Sequence, residues 1–164
     1  AMRAEDICVV RLADLRQVDG AATPSVETGL HAQVLRRRGD VACSIHTHQP
    51  VASACALLGE ALAVDDPALQ AKIGAHVPLV GYFPSGTGLL AWLLARQLRP
   101  ACNAYLMRNH GVLCCGRSLE QAVAAVDALE QVARIHLARR IQRRALHDAG
   151  MAAPLRAVLA ALEA

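Results

Sequence analysis

The stretch "NAYLMRNHGVLCCG" carries two apolar runs on either side of Asn109, His110 and Gly111, and the pattern changes immediately behind it. From Ser118 onward Leu119, Val123, Val126, Leu129, Val132, His136 or Leu137, and Ile141 step by three and four, with Ser118 placed to cap the segment. Two strands followed by one long amphipathic helix constrain the fold strongly. Each has an apolar face, and each must bury that face against another element.

The same alternation runs upstream. Residues 7–12, "ICVVRL", read as a strand, and Asp19-Gly20 supplies a turn signal for a short hairpin. In "ATPSVETGLHAQVLRRRGD" Ser25 is a candidate N-cap, and Leu30, Val34 and Leu35 recur at helical spacing until Gly39. Glu27 then falls in the first turn, where the helix dipole favours a carboxylate. A strand over 42–48 and a helix over 50–58 follow, then the undefined segment "ALAVDDPALQAKIGAHV". "VPLVGYF" reads as a strand, "PSGTG" as a turn, "LLAWLLARQL" as a helix, and a short helix follows Pro154. No repeat or linker divides the chain, so residues 1–164 are expected to form a single α/β layered domain.

Composition narrows the chemistry. Apolar types make up 54% of residues and aromatics 2%, so Ala, Leu and Val must fill the core and base stacking has no platform. A net charge of +3 is too small to imply a polyanionic partner. The arginines at 36, 37 and 38 and from Arg134 to Arg144 read as solvated helix faces, so no nucleic-acid partner is expected. The six cysteines form no C-x-x-C pair and read as small buried hydrophobes of a reducing compartment. No run approaches the ~18 apolar residues of a membrane span. The expectation is a soluble cytoplasmic protein with no membrane partner.

In "SIHTHQP" His46 and His48 sit at i and i+2 of a predicted strand, so both rings can converge on one point above the sheet. They can ligate a metal, or simply be surface or hydrogen-bonded histidines. A catalytic zinc needs three protein ligands and an open position, and His110 is the natural third, with Gly111 relaxing the turn that aims it. The alternative is a histidine fixing its own loop. Glu27 could move a proton if burial raised its pKa against the pull of the helix N-terminus; otherwise it is an exposed first-turn Glu. His31 could orient Glu27, but it is read, with His76, His136 and His147, as structural. Ser85, Gly86, Thr87 and Gly88 are read as a helix cap rather than an anion site.

Taken together, "PSVETGLH", "SIHTHQP" and "LMRNHGVLCCG" followed by a long helix resemble the class II aldolase/adducin family over residues 5–142. The resemblance implies a three-layer α/β/α sandwich with a mixed, largely antiparallel central sheet. It implies Zn2+ or another divalent metal on His46, His48 and His110, with Glu27 as acid/base and Ser25 helping to hold the substrate phosphate. It further implies a homo-oligomer, with a tetramer favoured, acting on a small hydroxy-carbonyl or sugar-phosphate compound. The expected reaction is aldolase-type C–C cleavage through a metal-stabilised enediolate, with decarboxylation or sugar-phosphate epimerisation as alternatives within the family. Departures are visible: the family's N-terminal phosphate loop is expected to be missing, and Val26 stands where a second serine would bind phosphate. The family's proton-donating tyrosine falls near Asp66 or Pro67. These departures support a second reading, a catalytically degenerate, adducin-like member with an assembly or binding role.

Overall fold

The structure is a computed structural model that describes residues 3–163; the terminal positions included in the expected 1–164 domain lie outside the described residues. After a 3-10 turn (Ala4–Asp6) come β1 (Val9–Val10), β2 (Gln17–Asp19), α1 (Thr28–Arg37), β3 (Cys43–Thr47) and α2 (Pro50–Leu57). β4 (Leu62–Ala63), α3 (Pro67–Ile73), β5 (His76–Val77), β6 (Leu79–Val80) and α4 (Gly88–Gln97) follow. The chain continues with β7 (Ala104–Met107), β8 (Gly111–Gly116), α5 (Leu119–His147) and α6 (Ala152–Glu163). The central sheet has the order β3-β8-β7-β6, antiparallel across its first two pairs and parallel at β6/β7.

Period-two alternation on the buried strands divides the core in two. Ala104, Leu106, Val112 and Cys114 pack with α2, α3 and α5, while Tyr105, Met107, Leu113 and Cys115 pack with α1 and α4. Helices therefore cover both faces, and the expected mixed three-layer α/β/α sandwich is what the chain adopts. Among the described residues, no helix is long and apolar enough to cross a membrane.

Several local expectations change. The hairpin β1/β2 forms, but its turn is Arg11–Arg16, with Leu15 at φ 61°, and Asp19-Gly20 lies after the second strand. Gly20 has φ 81°, and a Cβ there would stand 2.6 Å from the Ile7 carbonyl oxygen, so its glycine serves close packing rather than the turn. "VPLVGYF" contributes only two short strands. The undefined segment resolves into β4, α3 and β5, with Asp66 capping α3 through the Ala68 and Leu69 amides. On α5 the buried stripe consists chiefly of alanines, Ala122, Ala125, Ala128 and Ala133, together with Leu129, Val132 and Ile141; Leu119 and Val123 are exposed. Small side chains let the long helix lie close to the sheet, and that choice is set by interlayer distance rather than hydropathy.

Four cysteines are buried and all six are free. Burial pushes the Cys55 and Cys115 thiols up to about 11, which keeps them protonated and unreactive.

Arg38 overturns the reading of 36–38 as a solvated face. It is 3% exposed, forms a two-pronged pair with Asp40 at 2.8 Å, and donates to Arg99 O (2.7 Å), Cys102 O (2.6 Å) and Asn103 Oδ1 (2.9 Å). The hydrogen bond to Asp40 outweighs burial and holds its pKa above the ordinary guanidinium value. One rigid fork thus ties the end of α1 to the connection between α4 and β7. Arg38→Met is expected to cost about 3–5 kcal/mol in urea unfolding, because it leaves Asp40 and several carbonyls without a donor. Arg38→Lys should recover less than half of the loss, since an ammonium cannot reproduce the fork.

Candidate functional site

At the end of β3, side chains at alternate positions face α1. Ser44 is opposite Cys115 and His46 opposite Leu113 in the β3/β8 register, both partners belonging to the α1/α4 face. His31, on α1, meets Ser44 Oγ at 3.0 Å, so the histidine read as structural bridges the helix to the strand that carries His46. Its imidazolium is disfavoured, first by burial and then by the neighbouring His46, only partly offset by Glu27.

His110 arrives from the β7/β8 turn. The left-handed residue of that turn is Asn109, at φ 54°. Gly111, expected to relax the backbone, has a different role: a Cβ there would stand 2.4 Å from His48 Cδ2 and 2.8 Å from Thr47 O. Its missing side chain is the space into which the His48 ring fits.

The three ring centroids lie 4.8 to 5.3 Å apart, and one nitrogen from each ring falls within 4.8 Å of the others. Glu27 closes the group, with Oε2 3.0 Å from His46 Nε2 and Oε1 2.9 Å from His110 Nε2. It is the N-cap of α1 by position, yet its carboxylate makes no capping bond. Ser25, expected to be that cap, lies exposed two residues earlier, where its Oγ accepts from the Glu27 amide at 3.2 Å.

The donor set tests whether a cation fits. His46 Nδ1 is 2.7 Å from Val112 O, and a carbonyl can only accept, so Nδ1 carries a proton and Nε2 is the nitrogen that offers a lone pair whenever the ring is neutral. That lone pair faces the Glu27 carboxylate and, at 3.0 Å, His48 Nε2. Acceptors converging on one point repel unless a proton or cation sits among them. Nitrogens sharing a tetrahedral zinc stand about 3.3 Å apart when each bond is about 2.0–2.1 Å, close to the His46–His48 spacing. The residues fit a divalent metal.

Burial raises the Glu27 carboxyl, but the Ser85 hydrogen bond and the three imidazoles prevail, and its pKa lies below the ordinary carboxylate value. The upward shift looked for in a proton donor is absent, so Glu27 is ionised at neutral pH. Burial likewise lowers His110, against the pull of Glu27, so its ring is neutral. Ser85, read from sequence as part of a helix cap, has a role toward Glu27 that sequence reasoning missed, while Thr87 is the cap of α4. The Ser85 hydroxyl donates to Glu27 Oε1 at 2.6 Å across a separation of 58 positions, for which no local pattern gives a signal.

The sequence profile of the Class II Aldolase and Adducin N-terminal domain matches residues 1–137. An L-fuculose phosphate aldolase of Methanocaldococcus jannaschii is 30% identical over 117 residues, covering 70% of this chain and 61% of that protein. A methylthioribulose-1-phosphate dehydratase of Pectobacterium carotovorum is 27% identical over 154 residues, covering 86% of this chain and 74% of its own length. The crystal structure of the L-fuculose-1-phosphate aldolase of Thermus thermophilus superimposes with a TM-score of 0.73 at 28% identity, covering 87% of this chain and 73% of that one. The chain spans 61–69% of the length of the L-fuculose phosphate aldolases it matches. With the profile extending from the first hairpin through the histidine cluster and most of α5, this chain belongs to the class II aldolase and adducin N-terminal domain family.

Proposed function

We propose that this domain is a divalent-metal lyase of the aldolase type, in which His46, His48 and His110 hold the metal, zinc by preference, and Glu27 transfers the proton. The observation that carries the reading is the convergence of three imidazoles from two distant segments on the carboxylate of a third. A bound divalent cation supplies Lewis acidity toward adjacent hydroxyl and carbonyl oxygens of a substrate.

Every other role falls to the chain's own groups. The ionised Glu27 begins as a base, taking the hydroxyl proton whose loss allows the neighbouring C–C bond to break, and returns it to the carbanion carbon. Ser85 restrains Oε1 through a charge-assisted bond, which leaves Oε2 the freer oxygen for that transfer. The Val112 carbonyl holds the His46 ring and its tautomer, as outer partners of metal ligands commonly do. The substrate class is a small hydroxy-carbonyl compound or ketose phosphate, by analogy with the relatives, and Ser25 is the residue assigned to its phosphate. A homotetramer and a reducing cytoplasmic setting complete the reading, the latter supported by six free cysteines.

Metal analysis after zinc loading is expected to find about one ion per chain, and His46→Ala or His110→Ala should lower it well below half. Glu27→Gln should keep the metal while lowering retro-aldol turnover of a ketose 1-phosphate panel by about 10²–10⁴-fold. Full turnover in that variant would end the proton-transfer role. Gly111→Ala should weaken zinc binding at least about 10-fold and cost about 1–3 kcal/mol of stability, because its methyl group occupies the space of the His48 ring.

A further inference from the structure

His46 is anchored through its own ring, by the Val112 carbonyl, and His110 is largely buried in its turn. His48 differs. It is exposed, lies beyond the last residue of β3, packs against Gly111, and among the described residues the hydrogen-bond partner of its ring is another imidazole, His46 Nε2. With no fixed polar partner for the ring, its position follows the backbone between β3 and α2, and that junction is gripped from outside.

α2 begins at Pro50, directly after the N-cap Gln49, which makes no side-chain capping bond. The Gln49 amide instead donates to Val126 O of α5 at 2.9 Å, and its Oε1 accepts from Thr47 Oγ at 3.3 Å. The missing cap is supplied by a side chain 78 and 79 positions from the amides it binds: Glu130 Oε1 accepts from Val51 N at 3.1 Å, and Oε2 from Ala52 N at 2.9 Å. Both carboxylate oxygens are spent on amides that α2 cannot satisfy itself, at the helix end where negative charge is favoured. Residues 126 and 130 are one turn apart on α5, so a single helix face holds both sides of the backbone carrying His48.

We infer that Glu130 is a positioning residue that, by capping α2 from α5, holds the His48 ring against His46 and His110. The functional consequence rests on the metal reading above, whereas the geometric statement can be tested without metal. Glu130 touches neither ring nor reacting atoms, and acts through the first turn of α2.

The test compares wild type, Glu130→Ala, Glu130→Gln and the control Ser118→Ala, which removes the N-cap of α5, the helix that carries Glu130, at a distance from the junction. Ring-proton NOEs among the histidines are recorded without metal, followed by zinc titration. Wild type and Ser118→Ala are expected to show His46–His48 and His46–His110 contacts. Glu130→Ala should lose the first, keep the second, and bind zinc about 10–100-fold more weakly. Glu130→Gln, which retains one acceptor oxygen, should fall between, and it decides the matter if the alanine variant unfolds. Unchanged His46–His48 contacts in both Glu130 variants, or a weakening of zinc binding equal to that in Ser118→Ala, overturns the inference. If wild type takes up no zinc while the His48 contacts still depend on Glu130, the metal reading fails and the positioning role stands.

Discussion

Everything at the site depends on the antiparallel register between β3 and β8. With His46 opposite Leu113, its ring lies on the α1/α4 face beside Glu27, and the strand ends where the β7/β8 turn presents His110. A slip of one residue would turn His46 toward α2 and α5 and place Ile45 beside the carboxylate. Such a slip would also take Ser44 away from His31 and the His46 ring away from Glu27, so the contacts of β3 with α1 oppose it. The register that assembles the histidines is thus supported in part by a contact, Ser44 with His31, outside the proposed ligand set.

The cluster itself sets three imidazoles around one carboxylate. Imidazole nitrogens of three residues and an ionised carboxylate converge within hydrogen-bond distance. Folding forces them together through packing and hydrogen bonds made elsewhere, by Val112 on His46, Ser44 on His31 and Ser85 on Glu27. A cation would meet donors already held in place, which is the sense in which the scaffold is prepared for one.

Much of this was legible in advance because it is local. The H-x-H spacing predicts a shared direction on a strand, and the apolar runs about Asn109-His110-Gly111 predict the turn that carries the third imidazole. The misreadings share one cause. Arg38 looks solvated beside Arg36 and Arg37, Ser25 looks like a cap, and Leu119 looks buried; in each case the outcome was set by what another segment placed nearby. The Arg99–Asn103 carbonyls claim Arg38, the turn before α1 moves the cap to Glu27, and the close approach of the sheet selects alanine over leucine on α5.

By itself, the sequence determined the alternation of strand and helix, the aliphatic core, the shared direction of His46 and of His48, which lies just past the strand end, and the family to which the chain is similar. These follow from residue type and spacing along a few turns or pleats. The tertiary structure alone decided that Glu27 is ionised rather than proton-bearing, that Ser85 restrains it, that Gly111 makes room for a ring, and that Glu130 caps a helix far from it in the chain. Those outcomes depend on distances between segments remote in sequence, and hydrogen bonding and electrostatics act through distance in space.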